Sequence, residues 1–346
     1  EFGVGYFIST PETRTGAQRF KVSAKQMMPW FNTISARENY VKSLAKAKYE
    51  DIVIAKRKLI SAVSQSYYNL YANNAKQKVL IDNIELLKTY ETMALTSVEV
   101  GKASVVDVLR LQMRQNELQQ LLEVLLQQFI AEQTAFNKLL NRERDIKVNV
   151  IKELRIPLKS FEDNTGNLEL HPELLKFDKL YYSVEQSELL NQKESSPMIG
   201  FGLDYINVEK RPNLDFSDNG KDIVMPMVSI SIPIFNNKYK SKTVQNRLQQ
   251  QEITAQKQER LNKLTTRLDK AFNDRISSRI SYQTQSKNLI QAKNAQDILT
   301  KSYETGTINF NDVLDIQELQ LKFQLNQVES IRRYYIQSTI INYLKQ

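Results

Sequence analysis

Glu99-Val100-Gly101-Lys102-Ala103-Ser104-Val105-Val106-Asp107-Val108-Leu109-Arg110-Leu111-Gln112 returns later in the chain as Glu304-Thr305-Gly306-Thr307-Ile308-Asn309-Phe310-Asn311-Asp312-Val313-Leu314-Asp315-Ile316-Gln317. Both copies keep Glu-x-Gly and then Asp-Val-Leu-x-x-Gln. A second doubled phrase lies about 70 residues upstream each time, Pro29-Trp30-Phe31-Asn32 and Pro233-Ile234-Phe235-Asn236. The chain is therefore a tandem duplication with a period of roughly 204 residues, far too long for a solenoid unit. Each half is a whole substructure.

Glycine and proline punctuate those halves. No glycine occurs between Gly16 and Gly101, and no proline between Pro29 and Pro157. The stretch 35–98 is rich in Ala, Lys, Leu, Gln and Glu, all good helix formers. A helix of that length reaches roughly 95 Å at about 1.5 Å per residue. Gly101 ends it, and a second helix is predicted over 104–141, with Leu118, Leu121, Leu122, Leu125 and Phe129 at helical spacing. The two make an antiparallel hairpin with Gly101 at its tip. In the second half the plan repeats, with helices over 239–303 and 311–344 and Gly306 at the tip. Helices this long call for coiled-coil packing.

A pair of strands precedes each helical hairpin. Phe2, Val4, Tyr6 and Ile8 form one apolar face, 11–18 is the turn, and Phe20, Val22 and Ala24 continue the partner. Ile199, Phe201, Leu203 and Tyr205 alternate with Gly200, Gly202 and Asp204; Val228, Ile230, Ile232 and Ile234 alternate with Ser229, Ser231 and Pro233. A polar loop, 209–222, joins that pair. Between the halves, 145–170 is an irregular connection, and His171-Pro172-Glu173-Leu174 opens a short helix that ends before Ser195-Ser196-Pro197. This divides the chain into a first repeat, 1–150, with strands over about 1–30 and a helical hairpin over about 35–141. The second repeat, 151–346, has the short helix at 171–195, strands over about 198–235 and a hairpin over about 239–345. The first repeat lacks a counterpart of the short helix. Duplication symmetry thus predicts about 25 further residues upstream of a processed or truncated start.

Composition excludes several classes of function. The chain has 346 residues, 41% of them apolar, and no cysteine, which removes disulfides, thiol catalysis and thiolate metal sites. With a mean hydropathy of −0.47, no segment qualifies as a transmembrane helix, though membrane strands alternate and escape such a measure. The net charge of +9 is spread along helices among Glu, Gln and Asn, the pattern of solvated faces rather than of a nucleic-acid footprint. His171 is the only histidine, so no His/Cys metal site is expected. Met27, Met28, Met225 and Met227 read as packing rather than as a soft-metal cluster. No catalytic constellation and no phosphate-binding glycine loop appears, so neither an enzyme nor a cofactor is expected.

Four strands are too few to close a membrane barrel, which needs at least about eight, so strands in a membrane require several chains to share one barrel. The alternative is a soluble coiled-coil scaffold carrying a small sheet. The order and doubling of Pro29-Trp30-Phe31, His171-Pro172-Glu173-Leu174, Pro226, Pro233-Ile234-Phe235 and the two Gly-x5-Asp-Val-Leu tips are similar to the TolC-type outer-membrane efflux protein family. The resemblance covers nearly the whole chain. It implies a mainly α protein with a membrane β part. It also implies a homotrimer whose twelve-stranded β-barrel continues as an α-helical tunnel through the periplasm. Implied partners are a periplasmic adaptor protein, an inner-membrane pump of the RND, ABC or MFS type, and outer-membrane lipid, with no nucleic acid.

The resemblance also implies site residues. Asp312 and Asp315 match a ring of carboxylates at the constriction, and Asp107 and Tyr303 match two positions of a lock between neighbouring tips. The arginine of that lock is replaced by Ile308, and Lys102 is a substitute cation. Segments 100–104 and 305–309, with Gly101, Lys102, Gly306 and Thr307, are the implied adaptor-docking tips. Trp30, Phe31 and Phe235 are the implied aromatics at the membrane boundary. Asp315 stands where the first copy has Arg110, which puts the acidic gate on the second hairpin alone.

Overall fold

A computed structural model describes residues 1–101, 103–157, 168–235, 237–308 and 310–345. The elements run β1 (Phe2–Tyr6), β2 (Glu12–Thr13), β3 (Gly16–Met28), α1 (Thr33–Glu99), α2 (Val105–Leu139), α3 (Pro172–Glu194), β4 (Met198–Glu209), β5 (Ile223–Ser231), α4 (Asn237–Glu304) and α5 (Phe310–Lys345). The structure divides into two compact units, 1–51 with 173–259, and 52–172 with 260–346. Each unit draws on both repeats.

The first unit holds the sheet. Its order is β1-β3-β4-β5, all antiparallel, with β2 pairing onto β3. The central β3–β4 pairing joins the two repeats in one sheet. The register sorts side chains into two unlike faces, because direct partners share a face. One face carries Val4, Val22, Tyr205 and Val224 in one row and Phe2, Ala24, Leu203 and Pro226 in the next. Further rows add Phe201 with Val228 and Ile199 with Ile230. The other face carries Gly5, Lys21 and Ile206, then Gly3, Ser23, Asp204 and Met225. Lys25, Gly202 and Met227, and then Met27, Gly200 and Ser229, complete it.

Two strand limits differ from expectation. The second pair was expected to run to Ile234, but β5 ends at Ser231 and extends back to Ile223 instead. Pro233 has no N–H to give a ladder, which stops pairing at that end. Gly16–Gln18, expected in a turn, begins β3, and the added β2 extends the first strand hairpin through Glu12 and Thr13. Gly16 is required there: its φ is +139°, and a Cβ would lie 1.9 Å from the Glu209 carbonyl oxygen.

Asp204 is fully buried on the polar face and ion-pairs with Lys21. Met27 leans across Gly200, bringing its sulfur to 3.7 Å from Ser229 Oγ. Helix α3 is held by polar contacts to α1 and α4. Lys176 reaches Asp51 at 2.7 Å, Lys179 pairs with Glu50, and Asn246 Nδ2 donates to Glu188 at 2.8 Å.

In the second unit α2 returns antiparallel along α1, and α5 along α4. Gln112 and Gln115 both donate to Glu91 at 2.8 Å across the first hairpin. Gln320 donates to Gln296 at 2.6 Å and Ser330 to Ser281 at 2.9 Å across the second. The apolar core contains Leu80, Leu87, Tyr90, Leu111, Leu118, Phe310, Val313 and Leu321. Tyrosines secure the described part of the connection between the halves. The Tyr71 hydroxyl accepts from Leu154 N at 2.9 Å, and the Tyr335 hydroxyl donates to the Arg155 carbonyl at 2.8 Å. His171 is buried, edge-on to Tyr343 at 5.3 Å, with Nε2 3.3 Å from the Tyr343 carbonyl oxygen. It is a core residue of this unit. Asn137 donates to two carbonyls of the irregular segment after α2, those of Arg144 and Ile146.

Candidate functional site

The two tips are built from the doubled phrase. At the first, Gly101 takes φ +71° and donates to the Val98 carbonyl at 3.0 Å. At the second, Gly306 takes φ +74° and donates to the Tyr303 carbonyl at 2.9 Å. A Cβ at either glycine would meet nothing within 4 Å. Backbone conformation alone requires glycine there, not space. Thr307 tightens the second turn, since both its amide (3.0 Å) and its hydroxyl (2.8 Å) donate to the Ser302 carbonyl. Lys102, Asn309 and Asn236, named from the sequence, lie outside the described residues, as does 158–167 of the inter-repeat connection.

The two copies diverge beyond their turns. In the first, Asp107 closes a capping box: Ser104 Oγ accepts from Val106 N at 3.1 Å, and Asp107 Oδ2 accepts from Ser104 N at 3.3 Å. In the second, Phe310 is an apolar anchor. It is 2% exposed and packs edge-on against Tyr303 at 4.9 Å and Tyr90 at 6.0 Å. Tyr303 is thereby buried inside its own protomer, and its hydroxyl has no hydrogen-bond partner among the described residues. Val108 and Val313 of the doubled Asp-Val-Leu both enter the core.

Asp312 and Asp315 are exposed, three apart on α5, and among the described residues neither forms an ion pair. The opposing helix α2 carries Arg110 and Arg114. Arg110 donates to Asn311 Oδ1, and Arg114 lies 3.6 Å from Glu318. These arginines with Asn311 and Glu318 thus link α2 to α5 near the tips. Sequence reasoning noted Arg110 only as the counterpart of Asp315. Its partner stands one residue before Asp312, two hundred and one positions along the chain from Arg110, so no local pattern linked them.

At the other end of the helices, Trp30 and Phe31 stack edge-on at 5.5 Å. Phe31 is 73% and Phe235 88% exposed, and both follow the same end of the sheet, where Met28 and Ser231 finish their strands.

Protein-family models give no match to the chain, and neither do curated protein sequences. Solved structures do. The outer membrane protein VceC from Vibrio cholerae superposes over 100% of this chain and 86% of its own, with a TM-score of 0.76 and 14% identity. The transmembrane channel protein CusC matches over 99% of this chain and 82% of its own, with a TM-score of 0.80 and 12% identity. This chain has the fold of the outer-membrane channels. The MtrE outer membrane channel of Neisseria gonorrhoeae, solved in its open state, agrees over 99% of this chain and 78% of its own, with a TM-score of 0.76 and 14% identity. In this chain the doubled Gly-x5-Asp-Val-Leu phrase marks the two positive-φ turns, and the alternation of apolar residues marks the strands.

Proposed function

We propose that the protein is the outer-membrane exit duct of a tripartite efflux or type I secretion system of a Gram-negative bacterium. Three copies contribute four strands each to a twelve-stranded barrel, and their helical hairpins continue as a tunnel into the periplasm. The duct passes substrates passively and performs no chemistry.

The observation that carries this reading is the two-faced open sheet. One face is apolar across all four strands except at Gln26, while the other mixes glycines, Ser23, Lys25, Ser229 and the Lys21–Asp204 pair with methionines and Ile206. Lipid on one side and an aqueous lumen on the other would satisfy both faces. Strands β1 and β5 are left as edges, and an unpaired backbone group in hydrocarbon costs several kcal/mol. Pairing β5 of one copy with β1 of the next in a closed ring removes every edge.

At the tips, the reading assigns Asp312 and Asp315 to stacked carboxylate rings that attract and retain cations, as charged rings do in channels. Asp107 and Tyr303 flank that constriction, and the orphan Tyr303 hydroxyl is supplied with a partner only when tips rearrange or meet. The segments 100–104 and 305–309 dock a periplasmic adaptor, through which an inner-membrane pump is engaged.

Planar-bilayer recording of the detergent-purified protein, with its mass in solution, tests the proposal. A trimer of small, cation-preferring conductance is expected. A species that is stable and monodisperse without detergent, and silent in the bilayer, would instead establish the soluble scaffold.

A further inference from the structure

The chain has seven methionines, and five of them lie in the sheet. The register separates these by face. Met28 pairs with Ile199 and lies on the apolar face, whereas Met27, Met198, Met225 and Met227 all fall on the other. Spacing in the sequence groups Met28 with Met27, Met225 and Met227 as packing; strand pairing removes Met28 from the group and adds Met198. Core packing does not account for the set, because Met27, Met198 and Met225 are 37%, 38% and 40% exposed. Their face also carries Ser23, Lys25, Asp204 and Ser229.

The four methionines occupy successive rows. Met225 stands in the row of Asp204, Met227 in that of Gly202, Met27 in that of Gly200, and Met198 in the row beyond, opposite Ser231. Rows on one face step by two residues, about 7 Å. Glycines floor the middle two rows. A Cβ at Gly200 would collide with the Met27 sulfur and with Ser229 Oγ, and one at Gly202 would lie 3.3 Å from Met227 Cε. Met27 starts on β3 and crosses Gly200 to bring its sulfur to 3.7 Å from Ser229 Oγ on β5. Ser229 is the next residue after Met227 on that face of β5. Thioethers from two strands thus reach neighbouring rows, and both line one cavity of about 680 Å³ with Lys25, Gly202 and Ser229.

A thioether is a neutral, soft donor that selects soft cations such as Cu(I), and it has no proton to lose on binding. Hard cations take oxygen ligands instead. We propose that Met27 and Met227 form a site for a soft monovalent cation, Cu(I) or Ag(I), with Met225 and Met198 as the steps on either side of it along the lumen wall. Lys25 stands in the Met227 row and opposes a bound cation. That keeps each step weak, and a transit site has to release what it takes. Joining β5 to β1 of the next copy uses backbone groups at the strand edge. Strand β1 brings Gly3 and Gly5 to this face, so the thioethers stay uncovered. The inference rests on the channel reading above, since only a lumen turns this face into a route, and it names a cargo class for that duct.

The test uses the protein purified in detergent, titrated with Ag(I) by calorimetry and probed at the silver edge by X-ray absorption. Wild type is expected to bind silver with sulfur neighbours. M27L/M227L conserves side-chain volume and hence the fold, and it is expected to weaken that binding at least about tenfold. M28L/M113L removes one thioether from the apolar face and one from α2, and it is expected to bind as wild type does. In single-channel recording, silver is expected to reduce the current of wild type and M28L/M113L and to spare that of M27L/M227L. No sulfur-ligated silver in wild type, undiminished affinity in M27L/M227L, or equal loss in M28L/M113L overturns the inference. The channel reading stands in each of those cases if the wild type conducts. A wild type that binds silver through Met27 and Met227 yet carries no current removes the channel reading, and the transit role with it.

Discussion

Replacing Glu329 with Gln removes one charge from a cluster that fastens α1 to α5. Glu329 accepts from Lys76 at 3.0 Å, from Arg333 at 3.1 Å, and from Arg332 through both its oxygens, the shortest contact being 2.5 Å. Arg332 also reaches Asn69 Oδ1 at 2.9 Å. Burial by itself pushes the Glu329 carboxyl up. The hydrogen bonds from Arg332 and Lys76 outweigh it and hold the group at about 2 instead of 4.5. A fall of that size corresponds to about 3 kcal/mol of preference for the ionised folded form. The side chain is only partly buried, so solvent screening reduces the contribution to about 1–2 kcal/mol. The folded-state value is depressed, so the stabilisation is complete above the unfolded value, near 4.5, and is lost as pH falls through about 2. Hydrogen exchange of the amides around 325–333 reads the local opening. At pH 7 the E329Q protein is expected to open about 5- to 30-fold more readily than wild type, and the ratio should shrink toward one as pH falls to about 2. An unchanged ratio at pH 7, or a gap that persists at the lowest pH, would refute the assignment of this cluster as a fastening between the helices.

Other outcomes follow from the tips. Alanine at both Asp312 and Asp315 is expected to raise single-channel conductance and relieve block by trivalent cations; block of wild-type strength in the double variant would remove the carboxylate rings from the reading. Gly306→Ala is expected to destabilise the second tip by about 1 kcal/mol, because φ is +74° and no atom crowds the position. Asn tolerates that region, so Gly306→Asn should lie nearer wild type in limited proteolysis, and equal sensitivity of the two would point to crowding instead. Phe310→Ala, which empties a site 2% exposed between Tyr303 and Tyr90, is expected to cost about 3–5 kcal/mol. Thermal melting followed by circular dichroism reads that loss, with Phe310→Leu retaining most of the stability.

Much of the helical architecture is readable because its signals are local. The expected helices over 35–98, 104–141, 171–195, 239–303 and 311–344 compare with observed bounds of 33–99, 105–139, 172–194, 237–304 and 310–345. Positive φ at Gly101 and Gly306 explains why each break falls at a glycine. Strand alternation likewise survives in the register, where Val22, Tyr205 and Val224 share a row as their parity demands. Strand ends are less legible. Apolar alternation continues through Ile232 and Ile234, but hydrogen bonding stops at Ser231 because Pro233 cannot donate.

The candidate site divides along the same line. Asp312 and Asp315 stand out in sequence because spacing on one helix places them together. Asp107 stands out as well, and in the structure its carboxylate closes a cap on Ser104, a contact between residues three apart. The fastenings of Arg110 to Asn311 and Lys76 to Glu329 join residues 201 and 253 positions apart, and no periodicity announces such pairs. Tyr303 is noted in the sequence only through the resemblance, as a lock position, and no local pattern announces that its ring packs in the core with Phe310.

By itself the sequence determined the duplication, the helical hairpins with their glycine tips and the alternating strands. Each depends on backbone propensity and side-chain period over a few turns or residues. Tertiary structure decided that β3 of one repeat pairs with β4 of the other, so that four strands make one sheet with an apolar face and a polar face. It also decided that Phe310 of the second copy is drawn into the core against Tyr90 of α1. Both outcomes depend on which distant surfaces are buried together, and a local pattern carries no record of its partner across the fold.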